Sequence, residues 1–257
     1  MNSGSAAELI DALATPSAKK LGASLTEFEV QGLSTKFNFA DGHAYHGIPW
    51  ELHPVMNSLL SIWEDSTTKS VPQVEFEFKR ALAGLIASPA LINHEHFSIC
   101  PTASNSIDVA GSWLNLQGYR TGLIEPAFDN LFLLLKRRGV QIESIQEDDI
   151  ADLERLEGLI KSLKLQALVI VSPNNPTGFE LSELRFKELC ELCARMKVTL
   201  VTDRTFRFYS TSPYDDYKYL IESGVKFITI EDTGKTWATQ DLKVRSEEHT
   251  SELQSQR

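Results

Sequence analysis

Two short runs of apolar and β-branched residues, Ala167–Val171 and Thr199–Thr202, constrain the fold of this 257-residue chain more than any other feature. Neither run alternates between apolar and polar residues, so both are typical of strands buried on both faces of a sheet. Segments with helical periodicity separate these and four similar runs, which predicts repeated strand–helix–strand units. The predicted strands are Phe97–Cys100, Thr121–Ile124, Gln141–Ile145, Ala167–Val171, Thr199–Thr202 and Phe227–Ile230, and the predicted helices are Leu52–Glu64, Gln73–Ile86, Ser106–Leu116, Asn130–Arg138, Asp152–Leu163 and Ser182–Met196. We therefore expect a doubly wound α/β fold of three layers, with helices on both faces of a mostly parallel sheet.

The charge and hydropathy of the chain argue against several classes of function. Thirty-five acidic against 25 basic residues give a formal net charge of −10, which disfavours non-specific binding to nucleic acid or to anionic membranes. No apolar run approaches the roughly 20 residues that span a bilayer, and the N-terminus lacks the pattern of a secretory signal. Three cysteines are too few for a disulfide framework. We expect a cytoplasmic protein that binds neither nucleic acid nor membranes.

The two ends of the chain differ in character from its middle. Residues 1–50 show weak periodicity and are interpreted as an N-terminal arm. Residues 245–255 read RSEEHTSELQS, which matches the in-frame translation of a common sequencing-library adapter; a natural polar tail is the alternative interpretation. We expect residues 51–244 to form an incomplete large domain, residues 245–257 to be a non-native tail, and the natural protein to continue beyond Val244.

Three polar residues follow three of the predicted strands. Asn175 lies shortly after the strand that ends at Val171, Asp203 directly follows the next strand, and Lys235 follows the last one. Ligands of open α/β sheets bind beyond the carboxyl ends of the strands, so these side chains are expected at one edge of one sheet. An amine, a carboxylate and an amide suit a pyridoxal phosphate site: the lysine forms a Schiff base with the cofactor, the carboxylate keeps the pyridine nitrogen protonated, and the amide donates to the phenolate oxygen.

Two further segments supply what such a cofactor also needs. A turn of small residues that includes Thr102, Ala103 and Ser104 leads from a predicted strand into a helix, where backbone N–H groups can hold a phosphate. Phe128 follows another predicted strand and offers an aromatic face on which a pyridine ring can stack. Taken alone, Phe128 is more typical of a core residue, and each of the other motifs alone is more typical of a turn, a cap or a solvated charge.

Together these motifs resemble the fold-type I pyridoxal phosphate enzymes, specifically the class I/II aminotransferases, over about residues 38–244. The Asn174–Gly178 segment is similar to the NPTG signature of that family. The resemblance implies the following roles: Lys235 as the Schiff-base lysine, Asp203 on the pyridine nitrogen, Asn175 on the phenolate oxygen, Phe128 stacked on the ring, and Thr102, Ala103, Ser104, Thr233 and Lys243 around the cofactor. Within the family, EDTGKTW and NFADGHAYH look like the branch near capreomycidine synthase.

The same resemblance implies the activity and the partners. Amino acids and keto acids would be the substrates, and the complete protein would be a homodimer. A C-terminal small domain, missing here, would carry the arginine that binds the substrate carboxylate. The chain as it stands would therefore have negligible activity.

Several positions depart from the family pattern. Phe206 stands where the family usually has a tyrosine that donates to the phenolate oxygen, and Thr233 and Gly234 stand where serines are usual. Lys243 replaces a phosphate-binding arginine, and lysine supplies the charge without the two-pronged geometry. These departures leave three hypotheses open: transamination, elimination, replacement or cyclisation on the same fold, or a cofactor-binding fragment without activity.

Other motifs have simpler interpretations. Cys190 and Cys193 have the spacing of metal ligands, but they share one face of a predicted amphipathic helix and no second pair follows at zinc-site distances. Core packing is therefore the preferred interpretation. The histidine pairs at 43 and 46 and at 94 and 96 lack further ligands and are interpreted as loop residues. No GxGxxG sequence follows the first strands, which removes the usual dinucleotide signature.

Overall fold

The computed structural model describes residues 49–236, which form a sheet flanked by helices. Residues 1–48 of the N-terminal arm, Lys243 and the adapter-like tail lie outside these residues. A 3₁₀ turn at Trp50–Leu52 precedes five helices, α1 to α5, and the remaining strands and helices alternate along the chain. In order they are α1 His53–Asn57, α2 Leu59–Thr67, α3 Val71–Leu85, α4 Pro89–Asn93, α5 Ala103–Leu116, β1 Arg120–Glu125, α6 Asp129–Arg137, β2 Gln141–Gln146, α7 Glu147–Ala151, α8 Leu153–Leu163, β3 Ala167–Val171, α9 Glu183–Met196, β4 Thr199–Asp203, a 3₁₀ turn Arg207–Tyr209, α10 Asp216–Glu222 and β5 Phe227–Ile230.

The five strands form one sheet in the order β2-β1-β3-β4-β5, and all of its neighbouring pairs are parallel. The chain winds outward from β1 to β2, returns to place β3 on the other side of β1, and then continues to β4 and β5. The winding direction therefore reverses between β1 and β3, as in other doubly wound sheets. This confirms the three-layer α/β fold expected from the sequence.

The core lies around β3 and β4, because every residue of these two strands is buried. This is why neither strand alternates in sequence. Helices α5, α6, α8 and α9 each bury apolar side chains, whereas α1 and α2 bury none. In α9 the buried residues are Phe186, Leu189, Cys190, Leu192 and Cys193. The two cysteines thus pack in the core as expected, and burial raises the pKa of the Cys193 thiol to about 12. No group of three or more metal-ligating side chains occurs within residues 49–236.

The structure differs from the sequence-based prediction in three kinds of element. Phe97–Cys100 was expected to be a strand but has no regular structure; a cavity of about 490 Å³ separates it from the free edge of β5. Without a neighbour to pair with, a strand cannot form its ladder. The predicted helix Leu52–Glu64 is divided at Ser58, whose hydroxyl donates to the carbonyl of Pro54 at 2.9 Å. The short helices α4, α7 and α10 were not predicted, because five to seven residues are too few to show a helical period.

Candidate cofactor site

The carboxyl ends of β3, β4 and β5 are level with one another. Asp203 at the end of β4 is in register with Val171 on one side and with Ile230 on the other. The Ser172 N–H donates to the Asp203 carbonyl at 3.1 Å, and the Arg204 N–H donates to the Ile230 carbonyl at 2.8 Å. The segments that carry Asn175 and Lys235 therefore leave the sheet directly beside Asp203.

Asp203 is a buried carboxylate with little to balance its charge. Its side chain is 6% exposed, and its Oδ1 accepts a hydrogen bond from the Thr205 N–H at 2.9 Å. Burial raises the pKa of Asp203, and the neighbouring Asp232 adds to this rise, while the Thr205 hydrogen bonds oppose it. Asp203 has no ion-pair partner among residues 49–236, because the side chain of Arg204 pairs with Asp216 instead.

The loop after β3 is fixed by Asn174 rather than by Asn175. Asn174 is buried, and its Nδ2 donates to the Pro126 carbonyl at 2.7 Å and to Glu147 Oε1 at 2.6 Å. Glu147 also accepts from the Thr177 hydroxyl. These bonds join the loops that follow β1, β2 and β3. Asn175, the residue that the sequence singled out, is half-buried. The sequence gives no sign of the role of Glu147, because the contact joins residues far apart in the chain.

The N-terminus of α5 lies where the sequence predicted a phosphate turn. Thr102 is the N-cap residue, and its hydroxyl accepts from the Asn105 N–H at 3.0 Å. Ala103 and Ser104 come too early in the helix for their N–H groups to have a partner within it. Thr102, Ala103 and Thr233 line the 490 Å³ cavity together, so the turn and the segment before Lys235 face one space. Asp203, Asn175, Phe128 and Lys235 do not line it.

Phe128 and Lys235 occupy the remaining positions. Phe128 is the half-buried N-cap residue of α6. Its side chain is not one of those that pack against the hydrophobic core within the described part of the chain. Lys235 follows β5, and its backbone carbonyl accepts a hydrogen bond from the hydroxyl of Tyr209 at 2.9 Å. Sequence reasoning missed Tyr209, because nothing in its own surroundings marks it as a neighbour of the lysine.

A buried network of two arginines and two carboxylates lies next to Asp203. Arg204 Nε donates to Asp216 at 2.8 Å, and Arg207 donates from Nη1 to Asp216 at 2.8 Å and from Nε to Glu231 at 2.8 Å. Burial alone would raise the pKa of Asp216, but Arg204 and Arg207 hold it below the ordinary value. For Glu231, burial outweighs Arg207 and raises the pKa. The network ties the turn after Asp203 to the segment before Lys235.

These residues fit pyridoxal phosphate. The protonated pyridine nitrogen of the cofactor would give the buried Asp203 carboxylate the cationic partner that it lacks among residues 49–236. The N–H groups of Ala103 and Ser104, at the positive end of the α5 dipole, are suited to a phosphate. Lys235 supplies a primary amine on a segment that leaves the sheet beside Asp203.

The chain is similar to a known protein family and to several solved structures. Residues 64–239 match the model of the family described as aminotransferase class I and II. Among solved structures, MppP soaked with the product 2-ketoarginine is 31% identical, with a TM-score of 0.71 over 79% of this chain and 57% of MppP. Bna3p from Saccharomyces cerevisiae is 14% identical with a TM-score of 0.67, over 94% of this chain and 61% of Bna3p. No curated protein sequence gives a significant match.

Histidinol-phosphate aminotransferase from Clostridium acetobutylicum has the same fold at 17% identity, with a TM-score of 0.61, over 79% of this chain and 57% of that enzyme. The chain therefore spans less than two thirds of the length of these relatives. The family match covers more than half of the chain and includes β1 to β5 together with Asp203 and Lys235. The chain belongs to the class I and II aminotransferase family, whose cofactor is pyridoxal 5′-phosphate.

Proposed function

We propose that the complete protein is a pyridoxal phosphate-dependent aminotransferase that acts on an amino acid, with Lys235 as the residue that binds the cofactor. The observation that carries this proposal is the buried carboxylate of Asp203, which has no ion-pair partner in the described part of the chain and is level with the strand that leads to Lys235. A buried carboxylate without a cationic partner lowers the stability of a fold, so a cationic ligand accounts for the presence of Asp203 here.

Each site residue has its own role toward the cofactor or the substrate. Bound pyridoxal phosphate supplies an aldehyde that condenses with amines and a ring that accepts electrons from the substrate Cα. Lys235 would hold the cofactor through its amine, and the same amine would serve as the base for the proton on the substrate Cα. Asp203 holds the proton on the pyridine nitrogen. Asn175 donates to the phenolate oxygen, and Phe128 stacks on the ring.

The phosphate end is assigned to the start of α5. Thr102, Ala103 and Ser104 hold the phosphate, with Thr233 on the facing segment, since Thr102, Ala103 and Thr233 line one cavity. Lys243 adds a positive charge. We also propose that the chain consists of an N-terminal arm (1–50), a large domain (51–244) and a non-native tail (245–257).

Arginine is the first amino acid to assay. MppP is 31% identical and was soaked with its product 2-ketoarginine, the keto acid that corresponds to arginine. Phe206 favours the alternative reaction class, which is elimination, replacement or cyclisation. Without the usual tyrosine hydroxyl, the phenolate oxygen of the cofactor ring would have one hydrogen-bond donor fewer, and the electron distribution of that ring would change. Transfer of the amino group to an added keto acid separates the two classes, because elimination needs no acceptor.

The assembly and location of the protein are also proposals. Exposed apolar side chains along α1 to α3 suit an interface with a second copy, and we expect a homodimer. The three free cysteines suit a reducing cytoplasm. No helix within residues 49–236 is long and apolar enough to cross a membrane.

The proposal is tested by trapping the cofactor on the chain. The 257-residue protein is incubated with pyridoxal phosphate, reduced with borohydride and digested, and mass spectrometry locates the added phosphopyridoxyl group. We expect it on Lys235, and we expect Lys235→Ala to abolish the label together with the visible absorbance band. Lys226→Ala, which removes an exposed lysine just before β5, is the matched control and keeps both signals. Label spread over surface lysines, or a band that survives Lys235→Ala, would overturn the assignment.

A further inference from the structure

The 3₁₀ turn Arg207–Tyr209 contacts the segment that carries Lys235 at two points. Arg207 donates from Nε to both carboxylate oxygens of Glu231, at 3.0 and 2.8 Å. Tyr209 donates from its hydroxyl to the backbone carbonyl of Lys235 at 2.9 Å. The first contact lies where the chain leaves β5, and the second lies at the lysine itself. Two contacts at separate points fix both the position and the direction of the segment between them.

The first contact is part of a larger buried network. Arg207 is buried and also donates to Asp216, from Nη1 at 2.8 Å and from Nη2 at 2.9 Å. Asp216 in turn is the first residue of α10 and accepts from Arg204 at 2.8 Å. The turn is therefore anchored to the sheet and to a helix before it reaches the lysine segment.

The second contact depends on one hydroxyl. The ring of Tyr209 is 57% exposed and meets Phe206 edge-on, with 5.8 Å between the ring centroids. Packing alone therefore does little to hold this ring in place. Phe206 carries no hydroxyl, so Tyr209 is the aromatic residue of this turn that presents a donor to the lysine segment.

We propose that Tyr209 is a positioning residue for Lys235: its hydroxyl fixes the lysine backbone beside Asp203, so that the amine is held ready for the cofactor aldehyde. This inference rests on the proposed function for its second half, but the hydrogen bond itself can be tested without the cofactor. Tyr209 acts through Lys235 and takes no part in the bond-forming step.

The test compares Tyr209→Phe with the unchanged 257-residue chain. Loss of one hydrogen bond at a partly exposed site corresponds to about a five-fold change in an equilibrium. Without cofactor, we expect amide hydrogen exchange in the peptide that spans residues 231–236 to rise about five-fold, with no change in β3 or β4. With cofactor, we expect borohydride trapping on Lys235 at a fixed pyridoxal phosphate concentration to slow by a similar factor.

Tyr119→Phe is the matched control. The ring of Tyr119 packs edge-on against Trp113 at 5.6 Å, and its hydroxyl makes no hydrogen bond within the described part of the chain. This variant should leave both readings unchanged. Unchanged exchange at 231–236 in Tyr209→Phe overturns the positioning role, whereas increased exchange with no trapping in either protein retains the contact and overturns the proposed function. An equal fall in protection across the whole sheet would make Tyr209 a general stability residue, which also contradicts the proposal.

Discussion

Asp203 is a residue whose charge the unloaded chain does little to balance. Because burial raises its pKa, the folded state binds a proton more readily than the unfolded state does. Asp203→Asn keeps the acceptor for the Thr205 N–H and removes the charge. We expect the variant without cofactor to gain about 1 kcal/mol in the free energy of unfolding at neutral pH, and to bind pyridoxal phosphate more weakly. Urea denaturation and titration of the visible band measure the two effects.

The pH dependence of this gain has a definite sign. As the pH falls through the raised pKa, the Asp203 carboxyl becomes protonated in the folded protein, so the advantage of the asparagine should shrink. Asp152→Asn is the matched control, because Asp152 also accepts backbone N–H groups, from Glu154 and Arg155, at an exposed helix N-cap. Asparagine caps a helix as well as aspartate does, so this change should be near neutral. A loss of stability in Asp203→Asn would contradict the interpretation of Asp203 as a ligand-seeking charge.

At the scale of elements, α10 is joined to the turn after β4 by Asp216. Its carboxylate accepts from both Arg204 and Arg207 in a buried site. Asp216→Asn would leave two buried guanidinium groups short of negative charge, so we expect the free energy of unfolding to fall by about 3 kcal/mol or more. The folded pKa of Asp216 is lowered. Its contribution is therefore present above about pH 4 and lost as the pH falls through that lowered pKa.

Urea denaturation of both proteins between neutral pH and about pH 3 checks this expectation. The difference between them should stay constant at first and narrow only in acid. Asp215→Asn is the control, since Asp215 caps the same helix by accepting from the Lys218 N–H and asparagine can do the same. If Asp216→Asn and Asp215→Asn lowered the free energy of unfolding equally, the loss would come from the N-terminal cap of α10 and not from the ion network.

The elements also show how far the sequence can be interpreted. Strands β1 to β5 were predicted to within one residue at each end, because apolar and β-branched runs between helical periods are a local signal. Phe97–Cys100 carries the same signal but forms no strand, since a ladder also needs a neighbour. Asp203 and Lys235 were singled out because Asp203 comes at the end of one strand and Lys235 comes five positions after the end of another. Glu147 and Tyr209 were missed, because their partners Asn174 and Lys235 lie 27 and 26 positions away.

For the whole molecule, the exposed apolar face of α1 to α3 and the preceding turn has the greatest consequence. Large side chains there are strongly exposed, namely Trp50, Val55, Leu60, Trp63, Val71 and Phe76. We expect the complete protein to dimerise through this face. Leu60→Glu, at a side chain that is 71% exposed, should shift the population towards monomer.

Sedimentation velocity at micromolar concentration measures that shift. Leu184→Glu places the same charge at a leucine of α9 that is 63% exposed and should leave the dimer intact. A dimer that tolerates Leu60→Glu, or a monomeric parent protein, would contradict dimerisation through this face.

Because the ends of β3, β4 and β5 are level, the number of residues in each following loop limits how far its side chains can lie from Asp203. Asn175 stands four positions beyond Val171 and Lys235 stands five beyond Ile230, both measured from strands in register with Asp203. One residue inserted after either strand can displace the following side chain by up to roughly 3.3 Å, which exceeds the length of a hydrogen bond. The residue types in these loops can therefore change, as Phe206 and Thr233 illustrate, whereas the number of residues between each strand and its site residue has to stay the same.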